Sequence, residues 1–459
     1  MKNNRQIDLT SGHIATQLVK LALPIMGTSF IQMAYNITDM IFIGKKGSDA
    51  VAAVGTAGFF TWFAVALILV SKAGGQIKIA QCIGMKNENE TKKYIKASIQ
   101  INVILSLIYI LCIWLFHDSL ISFFKLGSED VINFTKEYLL IITLGLVSFC
   151  INPLLTAIFT ASGDSHTPFI INSIGLLINI VLDKILIFGL GPIPALNVVG
   201  AAIATITAQI IATIVFILLI IHRKDTRFKQ NYLTKVNIAY AKEIIKLSLP
   251  VAIQEGLFSF FSMTIARIIA PWGPVAIAVQ KVGSQIESIS WMTAEGFSAS
   301  LSAYVGQNYG AKKYDRILKG YKITMILACS IGILTTIFLI LGKTVLFKFF
   351  INEPKAIAMG ADYLTILAVS QLFMCIEITT AGAFNGLGRT KIPSFVSILL
   401  TGARIPAALV LSSIPILGLN GVWWSISLSS VLKGIILLII FYMFVKKQDI
   451  FSYKKSSVN

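Results

Sequence analysis

The sequence has few charged residues and few of the side chains on which enzymes rely. Asp, Glu, Lys and Arg make up 13% of its 459 residues, well below the roughly 25% of an average soluble protein. Its five cysteines form no CxxC pair and lie in or beside apolar runs, which predicts small core residues rather than disulfides or metal ligands. Its four histidines lie near the ends of those runs, and HExxH, nucleophile-elbow and Walker A motifs are absent. These absences predict that the chain is not an enzyme and uses no cofactor.

Hydrophobic residues make up 56% of the sequence and cluster in long apolar runs. Continuous runs of this length predict helices that cross a membrane, whereas a membrane β-barrel would alternate apolar and polar residues over about ten positions. The predicted fold class is an all-α polytopic membrane protein with twelve transmembrane helices. The predicted limits are 14–44, 51–82, 93–117, 131–162, 168–190, 198–222, 240–271, 273–305, 315–343, 355–386, 392–413 and 419–446.

The basic residues lie between the apolar runs rather than in a nucleic-acid-binding patch. Lys and Arg number 39 against 21 Asp and Glu, a net charge of +18. Most of them fall in every second loop and at the two termini. Because positively charged loops stay in the cytoplasm, we expect a multi-pass plasma-membrane protein with both termini cytoplasmic. Its expected partners are membrane lipid and small molecules but no nucleic acid, and we expect a monomer.

The two halves of the chain repeat each other. Residues 19–24 (VKLALP) resemble residues 245–250 (IKLSLP), and Gly163-Asp164-Ser165 resembles Gly388-Arg389-Thr390, at offsets of 226 and 225. Six helices per half is an even number, so the halves are predicted to be parallel repeats. The predicted domains are an N-terminal six-helix lobe at 1–222, a basic cytoplasmic linker at 223–239, a C-terminal six-helix lobe at 240–446 and a cytoplasmic tail at 447–459.

Two predicted helices carry carboxylates among apolar residues. Gln32, Asn36 and Asp39 share one face of the first helix by their spacing, and Asn179 and Asp183 share one face of the fifth, together with Asn172. A carboxylate inside a membrane is costly unless it is paired, hydrated or protonated. The pattern therefore predicts a coupling site for Na⁺, which prefers oxygen ligands, or for a proton shared by two acids. We include Asn36 in this site.

The second half carries further charges at apparent membrane depth, which predict a candidate second acidic site. Its acids are Glu255, Glu287, Glu295 and Glu377, and basic residues occur at Lys72, Arg267, Lys281 and Lys433. Structural ion pairs, such as Glu287 with Lys281 or Arg267, are the alternative. Glu255 and Glu377 are the acids that we expect to face a cleft.

Methionine and aromatic side chains are adaptable apolar surface, as a cleft of broad specificity requires. The candidates for a substrate cleft are Met33, Tyr35, Phe159, Met263, Trp291, Met292 and Phe297. The alternative for each is packing in the core or against lipid.

Several motifs in order make the chain similar to the MATE (multidrug and toxic compound extrusion) transporters, prokaryotic branch, over nearly its whole length. They include LxLP at 21–24 and 247–250, Asp39, Gly163-Asp164-Ser165, residues 179–183 (NIVLD) and Arg404-Ile405-Pro406. The resemblance implies a V-shaped pair of six-helix lobes that rock between two states and export amphiphilic or cationic compounds in exchange for H⁺ or Na⁺. It assigns ion coupling to Asp39, Asn179 and Asp183, with a threonine of the sixth helix, for which Thr205 is preferred over Thr207.

Two other functions are consistent with the sequence. One is a flippase for lipid-linked saccharides, from the same larger superfamily, for which the membrane-depth basic residues speak. The other is a passive channel or receptor-like scaffold, which the doubled architecture and the paired acids disfavour.

Overall fold

The computed structural model describes residues 6–124, 128–351 and 353–447, and the chain is helical throughout these ranges except for short loops. The predicted tail at 447–459 lies outside them apart from Lys447. The helices are α1 Ile14–Gly44, α2 Ser48–Gly84, α3 Glu88–Ser122, α4 Glu129–Ala161, α5 His166–Phe188, α6 Asn197–His222, α7 Ile238–Ile269, α8 Pro274–Gly310, α9 Tyr314–Phe350, α10 Pro354–Gly386, α11 Lys391–Gly402, α12 Arg404–Ser412 and α13 Leu419–Lys446.

Eleven helical segments of the described chain are long and apolar enough to cross a membrane, and α11 with α12 counts as one of them. The segment that does not qualify is α8, which has 37 residues, like α9, but interrupts its apolar residues with Lys281, Glu287 and Glu295. All twelve predicted spans therefore correspond to helices, and the all-helical multi-span fold is confirmed.

The helix boundaries repeat along the chain. Helix α2 begins at Ser48 and ends at Gly84, and α8 begins and ends 226 residues later, at Pro274 and Gly310. Helix α4 begins at Glu129, and α10 begins 225 residues later, at Pro354. Even the turns that follow α2 and α8 match, because Lys86 and Lys312 both have positive φ, 56° and 59°. The predicted pair of six-helix repeats is therefore present in the backbone.

The chain divides into two compact units; one boundary precedes α1, between Ile7 and Asp8, and the other two lie inside helices. Unit 1 comprises the described residues up to Ile7 and Gly27–Ala252, and unit 2 comprises Asp8–Met26 and the described residues from Ile253 onward. The two boundaries inside helices fall shortly after a proline, Pro24 in α1 and Pro250 in α7. The two units therefore do not coincide with the predicted lobes. The start of α1, up to Met26, belongs to unit 2, and the start of α7, up to Ala252, belongs to unit 1. The lobes remain a prediction.

The start of α7 is held in unit 1 by close packing and by charge. Glu243 accepts a hydrogen bond from the Tyr94 hydroxyl at 2.5 Å and pairs with Lys78 at 2.7 Å. The Gly74 amide lies 2.7 Å from Ser248 Oγ, and a side chain at Gly74 would overlap the backbone of α7. The start of α7 therefore packs against α2 and α3 of unit 1.

Candidate functional site

Four polar residues from three helices of unit 1 meet inside its apolar interior. Asp39 of α1 lies within interaction range of Asp183 and Asn179 of α5 and of Thr205 of α6. Asn179 and Asp183 have no exposed surface, and Thr205 is 8% exposed. The predicted ion-coupling residues other than Asn36 thus come together as one group, which we call the acidic cluster (Asp39, Asn179, Asp183 and Thr205).

The close packing of α5 and α6 places the cluster. Gly200 sits so near Leu186 that a side chain there would overlap the α5 backbone. Farther along the helices, Gly175 lies beside Ala212, where small residues again allow a close approach. Thr205, between these contacts on α6, is thereby brought to the α5 face that carries Asn179 and Asp183.

The polar atoms of the cluster lack ordinary hydrogen-bond partners among the described residues. Both carboxylate oxygens of Asp183, both polar atoms of the Asn179 side chain, Thr205 Oγ1 and Asp39 Oδ1 are buried and make no hydrogen bond. Buried polar atoms in proteins are normally satisfied. Oxygen atoms that converge without partners are a suitable ligand set for a small hard cation, or for protons that bridge the two carboxyls.

Two tyrosines complete the surroundings of the cluster. Tyr35, predicted for the substrate cleft, is 8% exposed and lies within interaction range of Asp39 and Thr205. Tyr138 of α4 is 7% exposed and lies near both acids and Thr205. Tyr138 was not predicted, because a single tyrosine in an apolar run carries no periodic polar pattern that would set it apart.

A small cavity adjoins Tyr35 between α1, α5 and α6. Its volume is about 20 Å³, and Gln32, Asn172 and Gln209 contribute polar groups to its wall. A polar cavity of this size holds about one water molecule. Gln32 and Asn172, which precede the acids on the predicted polar faces of α1 and α5, therefore line a space next to the cluster that can hold water.

Asn36 is placed differently from the other predicted coupling residues. Its side chain is exposed, whereas Tyr35 and Asp39, one helical turn apart, point into unit 1. Thr207 is half-buried and Thr205 is the α6 threonine beside Asp39. Helical spacing put residues 32, 36 and 39 on one face, but the packed face of α1 is centred on 35 and 39.

Unit 2 contains a second buried polar group with a different charge balance. Glu377 of α10 pairs with Lys433 of α13 at 2.9 Å, and Ser397 of α11 donates a hydrogen bond to the same Glu377 oxygen at 3.0 Å. Arg404 of α12 is 9% exposed and donates to Ser429 and Ser430. Sequence spacing alone could not reveal the Glu377–Lys433 pair.

Glu287 of α8 lies near this group. Gln371 Nε2 lies 3.5 Å from Glu287 Oε2, while Glu287 Oε1 is buried without a hydrogen-bond partner among the described residues. The described chain has no ion pair between Glu287 and Lys281 or Arg267, both of which are exposed. The alternative of structural pairing is therefore not formed by Glu287 with these two residues in the described chain, whereas an ion pair does form between Glu377 and Lys433. The Glu287 carboxyl instead lies within electrostatic range of Arg404.

The other candidates are dispersed. Phe159 is 2% exposed and packs against Phe216 and Phe228 in the core of unit 1, which corrects its assignment to a cleft. Phe297 is also buried. Half-buried or exposed positions are found for Met33, Glu255, Met263, Trp291, Met292 and Glu295.

The fold and the acidic cluster together define a class of protein. The chain is a multi-pass helical membrane protein made of two repeated halves, with a pair of carboxyls enclosed in one compact unit. In membrane proteins such intramembrane acids mark the pathways of ions and substrates, and internal repeats are typical of secondary transporters.

Comparison with known proteins identifies the family. The sequence profile of the MatE family matches residues 24–185 and 250–410, one segment in each half of the chain. The chain belongs to the MatE family.

The relatives are transporters of the same length and fold. The probable multidrug resistance protein NorM of Thermotoga maritima is 28% identical over 415 residues, covering 89% of this chain and 88% of the relative. The FAD transporter of Shewanella oneidensis is 25% identical over 448 residues, covering 93% and 94%. A solved structure of a multidrug resistance MATE family transporter, in an outward-facing conformation, superposes with a TM-score of 0.89 at 21% identity, covering 99% of this chain and 100% of that chain. These relatives confirm that the chain is a membrane transporter and not an enzyme.

Proposed function

We propose that the protein is a secondary antiporter that exports amphiphilic, often cationic, compounds from the cytoplasm in exchange for H⁺ or Na⁺. The observation that carries the proposal is the acidic cluster, where two carboxyls, an amide and a hydroxyl converge in a buried space without partners among the described residues. The names of several relatives as multidrug resistance proteins support the class of cargo.

The cluster can couple transport because its charge depends on what it binds. With both acids ionised, Asp39 and Asp183 place two negative charges inside an apolar unit, and a bound cation or proton relieves their repulsion. A conformation that closes around the cluster is thereby favoured when the ion is bound. The ion shifts the two transport states only by its difference in affinity for them, so the two carboxyls are the groups that we expect to set the coupling.

Either coupling ion suits these residues. Na⁺ would be held by the carboxylates of Asp39 and Asp183, with the Asn179 carbonyl and the Thr205 hydroxyl as further oxygen ligands. A proton would bridge the same two carboxyls, with Tyr35 and Tyr138 as hydrogen-bond donors nearby. The neighbouring cavity, large enough for one water, provides hydration for either ion.

The cargo is proposed to contact half-buried and exposed methionine and aromatic side chains. In unit 2, Met263, Trp291 and Met292 are accessible enough to contact a bound molecule, and flexible thioethers adapt to different shapes. With both termini in the cytoplasm, uptake of cargo from the cytoplasm and release on the opposite side constitute export.

Transport in proteoliposomes tests the proposal. The purified protein is reconstituted with a fluorescent cationic dye, and an inward Na⁺ gradient and a pH gradient are imposed separately. We expect one of the gradients to drive dye movement and thereby to identify the coupling ion. Dye movement under neither gradient contradicts the proposal for cationic cargo.

Two neutral substitutions locate the coupling site. Asp39→Asn and Asp183→Asn are each expected to lower gradient-driven dye transport by tenfold or more. Binding at one site usually changes the affinity of a coupled site by about 5–150-fold, so a loss of this size is the expected result of uncoupling. Asp49→Asn, which removes an exposed carboxylate of the same unit, is the matched control and should retain transport. Full coupled transport in both aspartate variants would place the site elsewhere.

An anionic cargo, such as a lipid-linked saccharide, is the alternative. Exposed Arg267 and Lys281 in unit 2, and a relative that is named an FAD transporter, favour it. Restoration of growth in a flippase-deficient strain by this protein, together with no dye transport, would support the alternative over the drug antiporter.

A further inference from the structure

The buried carboxyls of the two units are neutralised in different ways. In unit 1, Asp39 and Asp183 take part in no ion pair of the described chain. In unit 2, Glu377 is paired with Lys433, and both side chains are less than a tenth exposed. Unit 1 also contains a partly buried ion pair, Asp164 with Arg223 at 3.0 Å, but among the described residues the two acids of its acidic cluster have no bound base, whereas Glu377 of unit 2 has its own cation.

The Lys433 ammonium occupies the position that a small cation would take at Glu377. It lies 2.9 Å from Glu377 Oε1, and the Ser397 hydroxyl contacts the same oxygen. A carboxylate and a hydroxyl are also the kinds of ligand that the acidic cluster of unit 1 offers. An ammonium and Na⁺ carry the same single charge, so Lys433 satisfies the carboxylate without any bound ion.

Every helix packed around Lys433 fits this charge balance. Its ammonium is acted on by Glu377 of α10, Arg404 of α12 and Glu255 of α7. Arg404 lies in turn within electrostatic range of Glu287 of α8. Glu377, which is buried, and Glu287, which is half-buried, are thus matched by two buried bases, Arg404 and Lys433, while Glu255 is exposed to its surroundings. The buried group therefore has no net charge left for a further cation.

Stability alone does not account for the pair. A buried ion pair often contributes no more to stability than apolar residues of similar volume, because both charges lose their hydration. The charge of Lys433 therefore has to be considered for what it does at Glu377.

We propose that Lys433 is a tethered cation that blocks cation binding at Glu377, so that unit 2 binds no coupling ion and coupling is confined to the acidic cluster of unit 1. The statement about coupling rests on the proposed antiport. The statement about cation binding does not rest on the antiport, since it concerns only which cation lies at Glu377.

Cation counting on purified protein tests the proposal without transport. Lys433→Met keeps the length of the side chain and removes its charge. We expect this variant to gain about one cation per chain at Glu377, seen either as one more bound ²²Na⁺ in equilibrium dialysis or as a new infrared band of a protonated carboxyl. The added substitution Glu377→Gln should abolish the gain. Lys281→Met, which removes an exposed lysine of the same unit, is the matched control and should change neither count.

Two results would overturn the proposal. One is a folded Lys433→Met protein with the same Na⁺ count and the same carboxyl bands as the native protein. The other is a loss of bound Na⁺ or of a protonated carboxyl in the single variant Glu377→Gln, which would mean that Glu377 already binds an exchangeable cation. The measurement on Glu377→Gln tests the proposal even if Lys433→Met does not fold. Failure of the proposed antiport, by contrast, would appear as dye movement under neither gradient and would leave these counts unchanged.

Discussion

Gly74 is the residue that allows the start of α7 to lie directly on α2. A Cβ atom at this position would overlap the Ile244 carbonyl and would lie 2.8 Å from Ser248 Oγ. The backbone of α7 cannot move away without disturbing the hydrogen bond from the Gly74 amide to Ser248 and the contacts of Glu243. Adding a single methyl group at Gly74 therefore tests whether the contact between α2 and the start of α7 stabilises unit 1.

We expect Gly74→Ala to lower the free energy of unfolding by about 1–3 kcal/mol, the usual cost of overpacking. Gly55→Ala is the control on the same helix, because a Cβ there meets nothing within 4 Å, and it should stabilise by about 0.5–1 kcal/mol through helix propensity. Thermal unfolding in detergent measures both. Equal unfolding temperatures for the two variants would show that α7 does not pack on α2 as described.

The acidic cluster shows what residue spacing can and cannot predict. Polar residues in apolar runs identified Asp39, Asn179 and Asp183, because an intramembrane carboxylate is too costly to be incidental. The same spacing misplaced Asn36, since the inward face of α1 is set by packing against α5 and α6. Tyr138 was missed because its hydroxyl matters only once α4 has been folded beside the acids.

At the scale of elements, the first turns of the chain belong to unit 2 because one arginine binds their backbone. Arg316 of α9 donates to the Gly12 carbonyl at 3.0 Å and to Gln17 Oε1 at 3.1 Å, with longer bonds to the carbonyls of Leu9 and Ser11. Asn308 of α8 donates to the Leu9 carbonyl as well, at 2.9 Å. These carbonyls precede or begin α1, where no helical hydrogen bond would otherwise protect the segment.

We expect Arg316→Ala to release the segment 9–17. Loss of hydrogen bonds from a charged group costs about 1.5–3 kcal/mol, so amide hydrogen exchange of this segment should accelerate by about tenfold or more. Lys319→Ala, an exposed position one turn along the same helix, should leave exchange unchanged. If the two variants exchange alike, the hydrogen bonds of Arg316 do not hold the start of α1.

The helices themselves were largely predictable, since apolar runs longer than a bilayer leave the backbone few alternatives to a helix. The contacts that each helix makes with distant parts of the chain were not predictable. The contact between Arg316 and Gly12 joins residues 304 positions apart, and no local pattern encodes it. The break between α11 and α12 at Ala403 also escaped prediction, although Gly402 and Pro406 flank it, because Gly and Pro are tolerated within helices that cross a membrane.

At the scale of the whole molecule, the repeat and the loop charges together predict sidedness. The second to fifth helices of the two halves begin at offsets of 225 or 226 residues, and the first and last at offsets of 224 and 222, so equivalent loops should lie on the same side of the membrane. The loop at 190–196 precedes α6 and the loop at 413–418 precedes α13, the last helix of each half. Both loops lack Lys and Arg, whereas the linker at 223–237 is rich in them. By the positive-inside rule we therefore expect the linker to lie in the cytoplasm.

Cysteine labelling in intact cells tests this arrangement. In a background without the native cysteines, Ala195→Cys and Ser413→Cys should react with a membrane-impermeant maleimide added outside, because both positions are exposed and should face outward. Asn231→Cys, equally exposed but in the linker, should react only in inverted vesicles. Labelling of Ala195→Cys but not of Ser413→Cys from outside would contradict the parallel repeat, since equivalent loops would then lie on opposite sides. Labelling of Asn231→Cys in intact cells would reverse the orientation, and with it the direction in which the acidic cluster of unit 1 takes up its ion.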